Sequence, residues 1–205
     1  MPAGPTPQGR EIAALHILQH EAILKLIYAY ESPTTVFLVC EYLPGGQLLR
    51  PRGSLDSRTY SLEEARRHVR SIVSGVAHIH AHSCAGMMVE LVSRRGGLLR
   101  ACTFRNRYAH RDLKPENVLH TESGDVRIVD FGLARRFSAD EPLRTLCGTH
   151  KYLAPDLVRC FRGQAERYDE SVDTWAIGLL AYMLLFQANP FARADWESVR
   201  RVTAV

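Results

Sequence analysis

The run His110-Arg111-Asp112-Leu113-Lys114-Pro115-Glu116-Asn117, followed after a short gap by Asp130-Phe131-Gly132, restricts this chain more than any other feature. An aspartate placed to take a proton, an asparagine three residues beyond a lysine and a second aspartate on a nearby turn together supply a general base and two oxygen ligands suited to magnesium. Between the two motifs, residues 118–119 and 126–129 are short apolar runs on either side of Ser123-Gly124-Asp125. That order predicts a hairpin leading directly into Asp130, with both aspartates at strand ends. The chemistry requires the two carboxyl groups and Asn117 to converge on one cleft.

The rest of the chain is ordinary globular material: 205 residues, 46% hydrophobic and 23% charged, enough for one domain of good size or slightly more. The net charge of +4 comes from arginines spread over many segments, which argues against a nucleic-acid partner. Cys40, Cys84, Cys102, Cys147 and Cys160 form no C-x-x-C pair, so reduced thiols are expected and not a zinc site or disulfide framework. Residues 1–9 are rich in proline and glycine without the apolar core of a signal peptide, and read as a disordered leader. The most apolar stretch, 172–186, is too short for a bilayer and carries Asp173 near its start, so it reads as a buried helix of a protein without membrane association, in cytoplasm or nucleus.

Residues 10–19 carry Ile12, Leu15 and Leu18 at helical spacing; 22–30 and 35–40 read as strands parted by Glu31-Ser32-Pro33. Pro44-Gly45-Gly46 then breaks the chain, so 43–46 is the expected hinge between a small first lobe, 10–43, and a mainly helical second one, 44–205. Ser61 and Glu64 form a capping box ahead of Ala65, Val69, Ile72, Val76 and Ile79, predicting an amphipathic helix to about residue 82. Residues 83–107 mix three glycines and five arginines with one acidic residue and show no sustained period. Residues 134–154 read as a loop, and 196–202 as the start of a further helix.

In their order these motifs resemble the eukaryotic protein kinase family from about Glu11 to the end, apart from 83–107, and within it the calmodulin-dependent group and the checkpoint kinases near it. The resemblance implies a two-lobed α+β fold, ATP and Mg2+ as cofactors, and transfer of the γ-phosphoryl group to serine or threonine of a protein substrate. It makes Asp112 the catalytic base, Lys114 the lysine that steadies the transferring group, and Asn117 and Asp130 the metal ligands. Cys40 falls at the gatekeeper, with main-chain groups of Glu41 and Leu43 on the adenine edge and Leu119 beneath the ring. Thr145 matches the phosphosite set by an upstream activating kinase, its phosphate pairing with Arg111 and Arg135. Thr149 with Lys114 matches the Ser/Thr-specific arrangement, Leu146 and Leu153 the pocket for the residue after the acceptor, and Asp173 and Trp175 the helix that anchors the catalytic loop. Glu116 matches a position that contacts a basic substrate side chain, while Gln47 replaces an acid some relatives use there.

Several departures accompany the resemblance. No G-x-G-x-x-G occurs, and none of the three lysines, Lys25, Lys114 and Lys151, lies in a Val-Ala-x-Lys strand. Glu11 matches the helical glutamate that pairs with that lysine; unpaired, it faces an uncompensated burial cost and is expected to swing out. Asp156 stands where the family has glutamate, and Val205 precedes the arginine with which that glutamate pairs. The stretch 83–107 reads either as a partner-binding loop or as an unspliced or mispredicted segment. The chain is accordingly expected to be a kinase fragment of little or no activity, or a noncatalytic interaction module of the same fold.

Overall fold

The computed structural model describes residues 7–31, 35–49, 60–81 and 107–191. Helix α1, Pro7–Ile17, begins inside the stretch read as leader, because proline's fixed φ and missing N–H suit a first helical turn. Its last turn buries Ala14 and Leu15, and Leu18 follows them into the core. Strands β1, Leu26–Glu31, and β2, Val36–Cys40, form an antiparallel ribbon in register Leu26↔Cys40 to Glu31↔Val36. The apolar run before β1 does not lengthen it, contrary to the expected strand at 22–30. Instead Ile128 N–H donates to Ala22 O (2.8 Å) and Leu24 N–H to Ile128 O (2.9 Å), lashing this link to a strand a hundred residues on.

Helix α2, Leu62–Ala81, starts as its capping box predicts: Glu64 N–H donates to Ser61 Oγ at 3.2 Å and Ser61 N–H to Glu64 Oε2 at 2.8 Å. Its buried face is Ala65, His68, Ile72, Gly75, Val76 and Ile79. Two departures from simple amphipathicity matter. Gly75 is small because an added Cβ would lie 3.0 Å from Ile128 Cδ1 and 3.1 Å from Ala22 Cβ. His68 occupies a core position that its polarity hides in the sequence, with its ring edge-on to Tyr60 and His120.

Burial, with His120 adding to it, lowers the His68 pKa to about 4. An unfolded chain takes up this proton near 6.5, whereas the folded one refuses it until about 4, so proton uptake favours unfolding across that window. Stability should therefore fall as pH drops from about 6.5 to about 4 and level off below. Urea melts at successive pH values read this directly, and His68→Leu should flatten the slope. An unchanged slope in that variant would place the sensitivity elsewhere.

Beyond the undescribed residues 82–106, which hold nearly all of the irregular 83–107 stretch, come four short strands. Strand β3, Arg107–Ala109, pairs antiparallel with β6, Arg135–Phe137, and β4, Val118–His120, with β5, Val126–Ile128. The β4–β5 hairpin is the one expected, turning through Gly124 at φ +84°. Strands β3 and β6 add to the reading: Arg107, the last residue of the irregular stretch, is a strand residue, and 135–137 is a strand inside the expected loop. Three-residue strands carry too little periodicity to be read. Two helices follow, α3, Pro155–Phe161, and α4, Ser171–Phe186, the second as expected. The helix anticipated at 196–202 lies outside the described residues.

These elements give the expected α+β class. One core joins α1, α2, α4 and the β4–β5 hairpin; a second gathers Phe137, Leu143, Leu157, Val158, Tyr168 and Val172. Phe131, fully buried in the first core, contributes roughly 2–3 kcal/mol by its own burial. Among the described residues no helix is long and apolar enough to cross a membrane.

Candidate active site

The loop between β3 and β4 is held from below by one buried carboxylate. Asp173, on the first turn of α4 and 1% exposed, accepts 2.8 Å hydrogen bonds from the main-chain N–H groups of His110 and Arg111 and lies 2.8 Å from His80 Nε2 on α2. The anchoring role expected of Asp173 is thus a three-way junction of loop, α2 and α4. Trp175 contributes by packing, stacked on Phe191 at 5.5 Å; its buried indole N–H finds no partner among the described residues.

Of the three described non-glycine residues in left-handed backbone, Gln187 at φ 53° ends α4 and the other two lie at this site, Arg111 at φ 70° and Asp130 at φ 62°. Such conformations cost on the order of 1–3 kcal/mol each and persist where surroundings over-determine them. Here the staples are visible. Arg111 Nε donates to Leu133 O at 2.8 Å, Val129 N–H to Asn117 O at 2.9 Å, and His110 Nε2 lies 3.1 Å from Val129 O. The His110 ring also meets Phe131 edge-on at 4.9 Å. Burial lowers the His110 pKa while Asp173, Asp112 and Asp130 pull it up, so the carboxylates of Asp112 and Asp130 both lie within electrostatic reach of this one imidazole. The loop carrying Asp112 and the turn carrying Asp130 are therefore fastened side by side.

Around Asp112 the polar atoms form a closed network. Oδ2 receives Lys114 Nζ at 2.7 Å and Asn117 Nδ2 at 3.3 Å; Oδ1 receives the Thr149 main-chain N–H at 2.8 Å and its hydroxyl at 2.7 Å. Lys114 Nζ also reaches Thr149 Oγ1 at 2.8 Å, the pairing expected of the Ser/Thr-specific arrangement. Gly148 lets the chain come this close, since a Cβ there would stand 2.7 Å from Arg111 O and the residue adopts φ +100°.

Of the metal-ligand candidates, Asn117 is buried and Asp130 exposed. Asn117 donates through Nδ2 to Asp112 O at 2.9 Å, which fixes the amide so that Oδ1 is the atom left to coordinate. Asp130 is exposed and, among the described residues, takes only the Gly132 N–H, at 3.3 Å on Oδ1. Hard oxygen donors of this kind fit magnesium. On the nucleotide side, Glu41 N–H donates to Lys25 O (3.0 Å), while the Glu41 carbonyl and the Leu43 main-chain groups have no partner among the described residues. The Glu41 carboxylate faces away, accepting from Lys25 N–H (2.8 Å) and Arg127 Nε (3.3 Å), and so fastens the hinge to β5. Leu119 is half-buried on β4, bridged to Gln47. Burial, with Glu11 and Glu41 adding to it, pushes the Cys40 thiol up.

Glu11 departs from expectation. It does not swing fully into solvent: it is half-buried, and burial followed by the nearby charge of Asp130 raises its pKa, with a hydrogen bond to the Phe131 main chain opposing.

The activation-segment candidates are only partly brought together. Thr145 is exposed, the Arg135 guanidinium on β6 is exposed and makes no hydrogen bond or ion pair among the described residues, and Arg111 Nη1 is 3.0 Å from the Tyr168 hydroxyl. Leu146 is exposed and Leu153 buried. Asp156 makes only a 4.0 Å contact with Arg159 at the surface. The sequence reading missed Tyr168 and His80 altogether, because single residues outside any motif leave no periodic signal.

The pattern of the protein kinase domain family matches residues 6–86 and 99–204, leaving 87–98 between the matched segments. The chain is 37% identical over 188 residues to one probable myosin light chain kinase of Dictyostelium discoideum and 36% identical over 192 to a second, in each case covering 89% of this chain. It is 36% identical over 183 residues, 88% of the chain, to a maternal embryonic leucine zipper kinase of Xenopus laevis. The chain spans 40%, 51% and 24% of the lengths of these three relatives. A loop network joining base, lysine, threonine and amide, found within a sequence matched over both segments, leads to one conclusion: the chain belongs to the protein kinase domain family, and by kinship to its serine/threonine members.

Proposed function

We propose that the chain binds ATP with Mg2+ and is directed to serine or threonine of a protein substrate, with transfer itself slow to the point of being negligible. The observation that carries the first part is the closed Asp112–Lys114–Thr149–Asn117 network beside Asp130. The Thr149 hydroxyl, donating to Asp112 Oδ1, marks the seat of an acceptor hydroxyl; a substrate serine there would hand its proton to Asp112 as its oxygen bonds to the γ-phosphorus of ATP and the bond from that phosphorus to the bridging oxygen breaks, releasing ADP. Lys114 holds positive charge next to that oxygen. Asn117 Oδ1 and the free lone pairs of Asp130 hold the metal, which when bound neutralises charge on the phosphates. The Glu41 carbonyl and Leu43 main chain read the adenine edge, over Leu119.

The second part rests on Glu11 and Asp130. Where this family's pairing calls for a cation, half-buried Glu11 instead lies within electrostatic reach of the Asp130 carboxylate, and repulsion between the two works against anionic phosphates in the same place. The same observation favours the rival reading, a noncatalytic interaction module. Thermal melting with Mg2+ and a nonhydrolysable ATP analogue separates the two. The proposal expects a rise in Tm that Asp130→Ala and Asn117→Ala abolish; no rise in the parent chain would favour the module. With radiolabelled ATP and a generic basic peptide, transfer should be indistinguishable from an Asp130→Ala control, and robust transfer lost in that control would overturn the claim of inactivity. Thr145 is, on this reading, the site an upstream kinase modifies.

A further inference from the structure

The activation segment is already tied to the catalytic loop, and the tie is not a phosphate. Tyr168, 5% exposed in the loop before α4, directs its hydroxyl to Thr145 O at 2.7 Å while receiving Arg111 Nη1 at 3.0 Å; Cys147 Sγ stands 3.8 Å away. Its main-chain N–H donates to Leu143 O at 2.9 Å, so the same residue also clamps the segment two positions earlier. The remaining Arg111 contacts run to Leu133 O and, through its own N–H, to Asp173. One aromatic hydroxyl thus bridges the residue next to Asp112 and the segment that supplies Thr149 to the Asp112 carboxylate.

We propose that Tyr168 is a positioning residue for the kinase site: its hydroxyl makes, between Arg111 and residues 143–149, the bridge that a phosphate on Thr145 would otherwise make. The inference rests on the reading of Thr145 and Arg111 given above. A phosphate recruits arginine by charge-assisted bonds; a phenol can accept from the same guanidinium and, being neutral, can donate onward to a carbonyl, which a phosphate dianion cannot. Burial pushes the Tyr168 hydroxyl up to about 12 against the pull of Arg111, so it keeps its proton and remains a donor. The bridge therefore orders the segment before any modification, and a phosphate at Thr145 competes for Arg111 with a group already in place.

The test needs no phosphoryl transfer, so its failure is distinct from failure of the kinase reading. Amide hydrogen exchange is followed in the parent chain, in Tyr168→Phe, and in Tyr168→Phe carrying phosphothreonine at position 145. Losing the hydroxyl should speed exchange across 143–149 about tenfold to a hundredfold, the range for a hydrogen-bonded bridge to a charged group, with exchange in α2 and α4 unchanged. Phosphothreonine should restore protection to the parent level. Unchanged exchange in Tyr168→Phe would overturn the proposal. Faster exchange throughout the molecule would reduce the hydroxyl to a general stabiliser and overturn it equally, and local loosening that phosphothreonine does not repair would refute the equivalence of hydroxyl and phosphate.

Discussion

Asp173→Ala should destabilise the folded chain by about 3–5 kcal/mol, the range for breaking a buried, hydrogen-bonded charge. The residue is 1% exposed and its two oxygens satisfy the N–H groups of His110 and Arg111 and the His80 ring. Alanine leaves two main-chain donors buried without acceptors, and nothing else described in the structure is placed to replace them. At roughly 2–4 °C per kcal/mol for a chain of this size, the melting temperature should fall by about 10 °C. Asp173→Asn keeps one oxygen and should lie between. Urea melts of the three proteins measure the effect, and a loss below about 1 kcal/mol in the alanine variant would mean that the staples to Leu133, Val129 and Asn117 suffice without α4.

Gly45→Ala should produce the second large effect, this time at the hinge. An added Cβ would stand 2.4 Å from His120 Cβ, 2.8 Å from His120 O and 2.9 Å from Thr121 O. Two of those atoms are backbone, and the rungs Gly45 N–H to His120 O (3.1 Å) and His120 N–H to Gly46 O (2.8 Å) pin them in place. Relief requires the hinge to lift from β4, so a cost of about 2–3 kcal/mol, near the top of the overpacking range, is expected. Lifting the hinge also displaces Leu43 relative to Leu119, and affinity for an adenine nucleotide should weaken with stability. Gly178→Ala is the control: it has nothing within 4 Å of its Cβ and lies inside α4, where alanine should add up to about 1 kcal/mol. A Gly45→Ala chain as stable as its parent would show that the hinge rests on β4 more loosely than its hydrogen bonds imply.

Much of the fold was legible because local chemistry decided it. The capping box at Ser61 and Glu64, the Ser123-Gly124-Asp125 turn and the apolar run of α4 each specify an element within a few residues of themselves. The elements that escaped are those whose formation depends on a distant partner. Strand β3 exists because Arg107–Ala109 finds Arg135–Phe137, and residues 22–25 leave β1 because Ile128 offers them main-chain partners. His68 gave no core signal because its neighbours in space, Tyr60 and His120, come from other segments.

The site divides along the same line. The letters of residues 110–117 and 130–132 alone named the groups proposed to carry the chemistry, since few other residue types supply a base, a cation and two metal oxygens at that spacing. Only tertiary structure decided how they stand. It fixed Asp173 beneath the loop, left Glu11 half-buried within electrostatic reach of Asp130, and set the Tyr168 hydroxyl between Arg111 and Thr145. The physical reason is that a side chain's identity travels with the sequence, whereas its charge partners and its burial are set by segments that meet only when the chain has folded.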